Sequence, residues 1–411
     1  MVAPPTLGHV QPLIALAHRL RDRGHRCTLI HTAGVERYVG EGALSFAPLG
    51  EADPAGVLDR YLALLANPTG PVGLRRMIGA TAAMTAMLLD GAPAVAARIG
   101  ADAVLADTAE PAGALLARRL RLPCVATVTG LPLMEEPDVP PPFVDWPYLP
   151  GPAGRFRNQG GYAVARLLMR PIRQVIEARG RAWDVAGDGA PLLHVAQCPA
   201  AFDFPRRALP VPFHYGAAWR LPEGDAPALD ETRPLVFCSL GTLQGRRKEM
   251  FSAMTRACAD VGARAVVAHG GGLSEAEAEA LPGEPLVRAW WPQRAVLARC
   301  RAAVLHGGFN TVVDALAAGT PIVAVPIAFE QPATAARIEW LGAGRMVPFR
   351  RASRRSLADA LRAVLDDPRH ARAAARVQSS IVGRDGADEA ADRISAALAA
   401  NPAGDTRASP G

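Results

Sequence analysis

Along the second half of the chain, short aliphatic runs alternate with longer polar stretches of helical period. The runs PLVFCSLGT (234–242), RAVVAHG (264–270), PLVRAW (285–290), AAVLH (302–306) and PIVAVP (321–326) read as strands. Continuous Val, Ile and Ala with helices between them predict a parallel sheet covered on both faces. The first half repeats the theme. In HVQPLIALAHRLRDRGH, Val10, Leu13, Ile14, Ala17 and Leu20 fall on one helical face, and Gly24 closes the helix. RCTLIHT, ALSFAPL, DAVLAD and PCVATVT follow as strands. Only Val2 and Ala3 precede the prolines of APP, so the first strand is expected to be stunted or to start upstream.

The two units join near the proline-rich stretch 205–234 and predict an α/β protein of two facing doubly wound domains. The expected boundaries are 1–215 and 216–380. A C-terminal helix over 381–400 should pack back toward the first domain, with 401–411 as a frayed tail. Half the residues are hydrophobic and a fifth are charged, an ordinary globular balance. The net charge of +6 rests on arginine, since Lys248 is the only lysine. Arg350-Arg351 and Arg354-Arg355 lack aromatic interleaving, which argues against nucleic acid. Cysteines 27, 124, 198, 238, 258 and 300 form no CxxC pair, so reduced, buried thiols are expected. The opening VAPPTLGH does not read as a signal peptide. The longest uncharged apolar runs, Met77–Leu89 and Ala315–Phe329, fall short of the roughly 18 to 20 residues of a membrane span. The expectation is a cytoplasmic monomer, with peripheral contact at the inner membrane face as a further expectation.

No G-x-G-x-x-G follows a strand; the nearest, GAGRMV (342–347), lacks its third glycine and its strand. No Walker loop and no Asp-x-Asp clamp is present, so no metal and no cofactor is expected. The chemistry collects instead at HGGFNT (306–311), where a strand gives way to a helix-like stretch. Ligands of open parallel sheets gather beyond the carboxyl ends of strands. There Gly307 and Gly308 let backbone approach an anion, and Thr311 and the first helical turn offer donors. SLGT (239–242) makes a second such turn. Taken alone, HGG is a tight turn and His306 a core histidine. The second turn and the fixed order WWPQ, HGGFNT, Asp314, FEQ outweigh that reading.

The order WWPQ(x12)HGGFNTVVDAL…VPIAFEQ resembles the donor signature of GT-B glycosyltransferases of the UDP-glycosyltransferase superfamily. ADTAEPAGAL, FDFPRRALPVPFH, CSLGTLQGRR and VPIAFEQPATAARI resemble its bacterial zeaxanthin glucosyltransferase branch. The likeness implies a GT-B fold, with the acceptor on the first domain and the nucleotide sugar on the second. It implies that Trp290 stacks on uracil and that Gln293 contacts the base edge or ribose. Asp314, in place of the usual Glu, would accept from the ribose hydroxyls. Ser239, Gly241, Thr242, His306, Gly308, Asn310 and Thr311 would hold the diphosphate, and Glu330 and Gln331 would read the sugar. Trp290 and Trp291 could instead serve packing.

An alcohol needs a base to become a nucleophile at neutral pH. His9 follows a Pro-Gly loop at a helix start, and Asp107 ends the strand DAVLAD. At the family's dyad positions they imply His9 as general base and Asp107 as its orienting carboxylate. Read without the family, His9 is as well a surface residue and Asp107 a helix cap. The implied reaction is inverting, metal-independent transfer from UDP-glucose to a carotenoid hydroxyl. The proline-rich loop 131–150, with Phe143 and Trp146, and the apolar stretch 61–89, with Met87, are candidate acceptor walls. Arg75-Arg76 is a candidate lipid contact. Alternatives are transfer from a UDP- or TDP-sugar to a macrolide, polyketide or sterol, a catalytically dead nucleotide-sugar binder, and a sugar-nucleotide epimerase.

Overall fold

The computed structural model describes residues 1–50, 56–66, 70–185 and 189–401. The first lobe carries β1 (Cys27–His31), β2 (Leu44–Pro48), β3 (Val104–Asp107), β4 (Cys124–Val128), β5 (Leu193–Ala196) and β6 (Phe213–Tyr215). The second carries β7 (Leu235–Ser239), β8 (Arg264–Ala268), β9 (Leu286–Arg288), β10 (Ala302–Leu305), β11 (Ile322–Ala324) and β12 (Gly344–Met346). All the described ladders are parallel.

In the second lobe the strands run β12-β11-β10-β7-β8-β9, the 3-2-1-4-5-6 order of a doubly wound fold. The order reverses between β7 and β10. In the first lobe, β1-β2 and β3-β4-β5-β6 are bridged by residues 1–3. The Val2 amide donates to Leu105 and the Asp107 amide to Val2, both at 2.9 Å, and the Ile30 amide donates to Met1 at 3.1 Å. The stunted opening is therefore a working strand, because both neighbours bond to it. Its crossover to β3 makes a second switch point facing the first.

Burial explains the unalternating strands. Leu13, Leu16, Val125 and Val195 lie on one side of the first sheet, and Ile30, Leu88 and Leu115 on the other. Phe237, Leu305 and Ile338, and then Val236, Phe251 and Leu361, do the same in the second lobe. The helix Gly70–Arg98 corrects one sequence reading. Arg75, Arg76 and Asp90 break its apolar runs, yet it is continuous over 29 residues and by length and composition could cross a membrane. Here its second half serves the core through Leu88, Leu89, Ala92 and Val95. GAGRMV likewise contains a strand, the edge strand β12, which at three residues is too short to announce itself.

Two ties between the lobes lie away from the cleft. The helix Gly386–Ala400 returns to the first lobe, where Ala387, Ala390, Ala391 and Ile394 join Leu13 and Leu16. Arg23 meets Asp388 at 3.0 Å and Asp392 at 2.7 Å along the same seam. The second tie is buried. Asp203 Oδ1 accepts from Arg337 Nε at 2.9 Å and Nη2 at 2.7 Å, while Oδ2 accepts from Arg206 at 2.7 Å and Tyr215 at 2.8 Å. Burial disfavours the Asp203 charge, but the two guanidiniums outweigh it and hold its pKa below the usual value.

Candidate active site

The two switch points face each other across a cleft of about 680 Å³ lined from both lobes. On the first lobe, His9 sits in the opening turn of the helix Leu7–Arg21. Its Nδ1 lies 3.0 Å from Asp107 Oδ2 and 2.7 Å from Thr129 Oγ1. The Thr129 hydroxyl donates to the same Asp107 oxygen at 2.5 Å, and the Ala109 amide donates to Oδ1 at 2.9 Å. Asp107 is buried and His9 about a quarter exposed (27%), which leaves Nε2 as the imidazole's remaining nitrogen. Burial works against a charged imidazole. The Asp107 charge and hydrogen bond, with Glu330 and Glu110 farther off, prevail and raise the His9 pKa above its ordinary value.

Glu110 had no sequence signal. Burial pushes its carboxyl up to about 7, against hydrogen bonds from the Ala112 amide and the Thr85 hydroxyl. It begins the turn into the helix Ala112–Leu120 and contributes a field at His9.

On the second lobe, Ser239, Gly241 and Thr242 turn out of β7, and His306, Gly308, Asn310 and Thr311 turn out of β10; all seven line the cleft. The His306 imidazole is packed between two glycines. A Cβ on Gly241 would stand 2.7 Å from the ring and one on Gly308 2.3 Å, so neither position accepts a side chain without movement. Burial lowers the His306 pKa to about 4, so the ring is neutral at physiological pH. Its Nδ1 is buried with no partner among the described residues. The helix Phe309–Ala317 starts at Gly308 with no side-chain cap, which leaves donors and a positive dipole end at the cleft. Glu330 lines the same wall, its pKa raised by burial.

Trp290 stands 58% exposed at the rim, whereas Trp291 is packed, donating to Val267 at 2.9 Å beneath Arg288. Other expected roles need correction. Asp314 Oδ1 accepts from Arg220 at 2.9 Å and Oδ2 from Gln293 at 2.7 Å, so a ribose would have to displace one of them. Asn310 is turned across the cleft, donating to the Gly8 carbonyl at 2.8 Å and accepting from Gln197 at 2.9 Å. Gln331 gives its carbonyl to the amides of Ile327 and Ala328 at 2.9 Å each, bracing the loop that carries Glu330. The acceptor candidates Met87, Phe143 and Trp146 do not line the cleft. Met87 packs on Tyr61, Leu65 and Met84, and Trp146 lies against Gly161 under Arg157. Ile14, Tyr38, Tyr61, Leu65, Met77 and Leu133 form the apolar wall, four of them from the stretches 61–89 and 131–150 expected to supply it.

The residues missed by sequence reasoning are the connectors. Gln197 accepts from Arg220 at 2.8 Å and from the Trp219 amide at 3.2 Å while donating to Thr129 and Asn310. Arg220 lies in the proline-rich connection and is the only lysine or arginine among the residues lining the cleft. Neither belongs to any periodic pattern. Thr129 was within reach, as the polar residue just past the strand beside Asp107.

Paired switch points, an imidazole–carboxylate dyad on one and glycine turns for an anion on the other, define a nucleotide-sugar glycosyltransferase of GT-B architecture. Residues 200–393 match the family model for UDP-glucoronosyl and UDP-glucosyl transferase, and residues 3–117 match the glycosyltransferase family 28 N-terminal domain. A zeaxanthin glucosyltransferase of Pseudescherichia vulneris is 37% identical, covering 97% of both chains. Another, from Pantoea ananas, is 34% identical over 96% of this chain and 94% of its own. The crystal structure of CalG4, the calicheamicin glycosyltransferase, superposes with a TM-score of 0.73 at 24% identity, covering 97% of each chain. The chain belongs to the UDP-glycosyltransferase family and is a UDP-sugar glycosyltransferase.

Proposed function

We propose that the protein transfers glucose from UDP-glucose to a hydroxyl of a carotenoid such as zeaxanthin, with inversion and without a metal ion. The observation that carries the reading is the His9–Asp107–Thr129 cluster, set across one cleft from the two glycine turns. With Nδ1 held by Asp107 and Thr129, His9 Nε2 takes the proton of the acceptor hydroxyl as its oxygen attacks the anomeric carbon. Asp107 stabilises the imidazolium that forms. The C–O bond to UDP breaks on the opposite side, so an α-linked donor gives a β-glycoside.

The charge left on UDP falls to the turn amides, the uncapped helix start and the neutral His306 imidazole. Arg220 is the one arginine or lysine among the described residues lining the cleft, and the diphosphate can draw it from Asp314, freeing that carboxylate's Oδ1 for the ribose. Trp290 supplies a face for uracil. A carotenoid end is supported by the names of the two 34–37% identical relatives and by the apolar wall around Tyr61, Leu65 and Met77.

The test is incubation with UDP- and TDP-sugars and a panel of zeaxanthin, a macrolide, a polyketide and a sterol in detergent, with and without EDTA. Product from UDP-glucose and zeaxanthin, undiminished by EDTA and abolished by His9→Ala, is expected. Turnover of another acceptor in preference to zeaxanthin overturns the carotenoid assignment. Near-normal turnover of His9→Ala overturns the base.

A further inference from the structure

Among the described residues, six of the twelve large apolar side chains that stand exposed lie within residues 149–169: Leu149, Phe156, Val164, Leu167, Leu168 and Met169. None lines the cleft. The helix Pro152–Leu168 accounts for their arrangement. Gly154, Asn158, Gly161, Tyr162 and Ala165 form its buried face. At about 100° per residue, Ala153, Phe156, Gly160, Ala163, Val164 and Leu167 form a stripe on the opposite side, all exposed. Phe156 is 81% and Leu167 68% exposed, eleven residues apart. A surface helix normally turns its polar side outward; this one is apolar outward.

Charge frames the stripe. Residues 149–183 hold seven arginines (155, 157, 166, 170, 173, 179 and 181) and one acidic residue, Glu177. Asp138, Glu135 and Asp90 pair with Arg155, Arg166 and Arg179. A net of about three positive charges remains after those pairs. Arg157 spreads its guanidinium over Trp146, and Arg170 follows Leu168 and Met169 directly.

We propose that this face of the first lobe docks on an anionic bilayer. The helix Pro152–Leu168 lies in the headgroup plane, Phe156, Val164 and Leu167 enter the acyl boundary, and the unpaired arginines meet lipid phosphates. Protruding single side chains flanked by cations suit a fluid, negatively charged surface, which has no fixed shape to complement. The Arg75-Arg76 pair is the poorer candidate, having one exposed apolar neighbour, Val72. Docking deepens the reading above, because it would bring a lipophilic acceptor to the lobe that carries His9, yet it rests only on the surface just described.

The experiment is flotation of the full chain with vesicles of phosphatidylcholine alone or mixed with phosphatidylglycerol, in low and molar salt. Binding to the mixed vesicles only, reversed by molar salt, is expected. Phe156→Ser with Leu167→Ser should weaken it about tenfold through lost apolar burial. Arg170→Glu, a change of two charge units, should weaken it about 25-fold. Both variants should keep turnover on detergent-dispersed acceptor, which separates failure of docking from failure of the catalytic reading. Equal binding to neutral vesicles, no binding, or variants that bind as the parent overturn the proposal. So does a dimer in light scattering that Phe156→Ser with Leu167→Ser dissociates.

Discussion

Replacing Asp107 by Asn keeps the shape of the site and removes the charge beside His9. The carboxylate is buried, its Oδ2 is 3.0 Å from Nδ1, and no other carboxylate bonds to that ring. Opposite charges about 4 Å apart at an effective dielectric near 20 attract by roughly 4 kcal/mol. That attraction exists only once His9 has taken the proton, so it belongs to the transition state and not to the bound substrates. At 1.36 kcal/mol per decade, its loss lowers kcat by about a thousandfold, with KM for the donor little changed.

The pH profile gives a second, independent readout. Burial opposes protonation of His9, but Asp107 more than offsets it and the pKa stands above the usual 6.5. The neutral base is therefore depleted as pH falls through that raised pKa, and kcat/KM falls with it. In Asp107→Asn the imidazolium loses its partner, so the acid limb should move to lower pH while the plateau drops. The assay is UDP release against pH with saturating donor. A variant within tenfold of the parent, or an acid limb that does not move, refutes Asp107 as the partner of the base.

Trp290→Ala removes a largely exposed ring at the rim, and stacking on a base is worth about 1–3 kcal/mol. Donor KM should rise about tenfold with kcat kept within a few-fold; an unchanged KM by initial rates dismisses the stacking role. Arg337→Met leaves buried Asp203 with Arg206, Tyr215 and the Phe204 amide, and breaking such an ion pair costs about 3 kcal/mol. Denaturant unfolding should show that loss, and a change below about 1 kcal/mol would mean that the interlobe pair carries little.

The doubly wound architecture could be read from the strands because most are buried on both faces and so are continuously apolar. In the strands that escaped, β5, β6 and β12, His194, His214 and Arg345 interrupt the short apolar run. For His9 and Asp107 the family resemblance, rather than any local pattern, pointed to a pair, and the structure sets them 3.0 Å apart. Asp314, Asn310 and Gln331 lie on the expected wall, and their protein partners were not foreseen. Asp314 and Asn310 bond to Arg220, Gln197 and Gly8, between 94 and 302 residues away, which no local pattern encodes; Gln331 bonds to the Ile327 loop only four residues before it. Both stretches expected at the acceptor side do reach the cleft, through Tyr61, Leu65, Met77 and Leu133, while Met87, Phe143 and Trp146 do not. Aromatics in a proline-rich loop are as well spent on covering a neighbouring helix as on a ligand, and Trp146 is spent that way.

The bond from Asn310 to the Gly8 carbonyl reaches from the second lobe to the residue next to His9. Were the halves to part, the loop bearing the proton acceptor would lose its brace. An activated sugar seated in a gaping enzyme would then face water without a competent partner to deprotonate it. On the mechanism proposed above, that brace would disfavour hydrolysis of the sugar until both halves have come together.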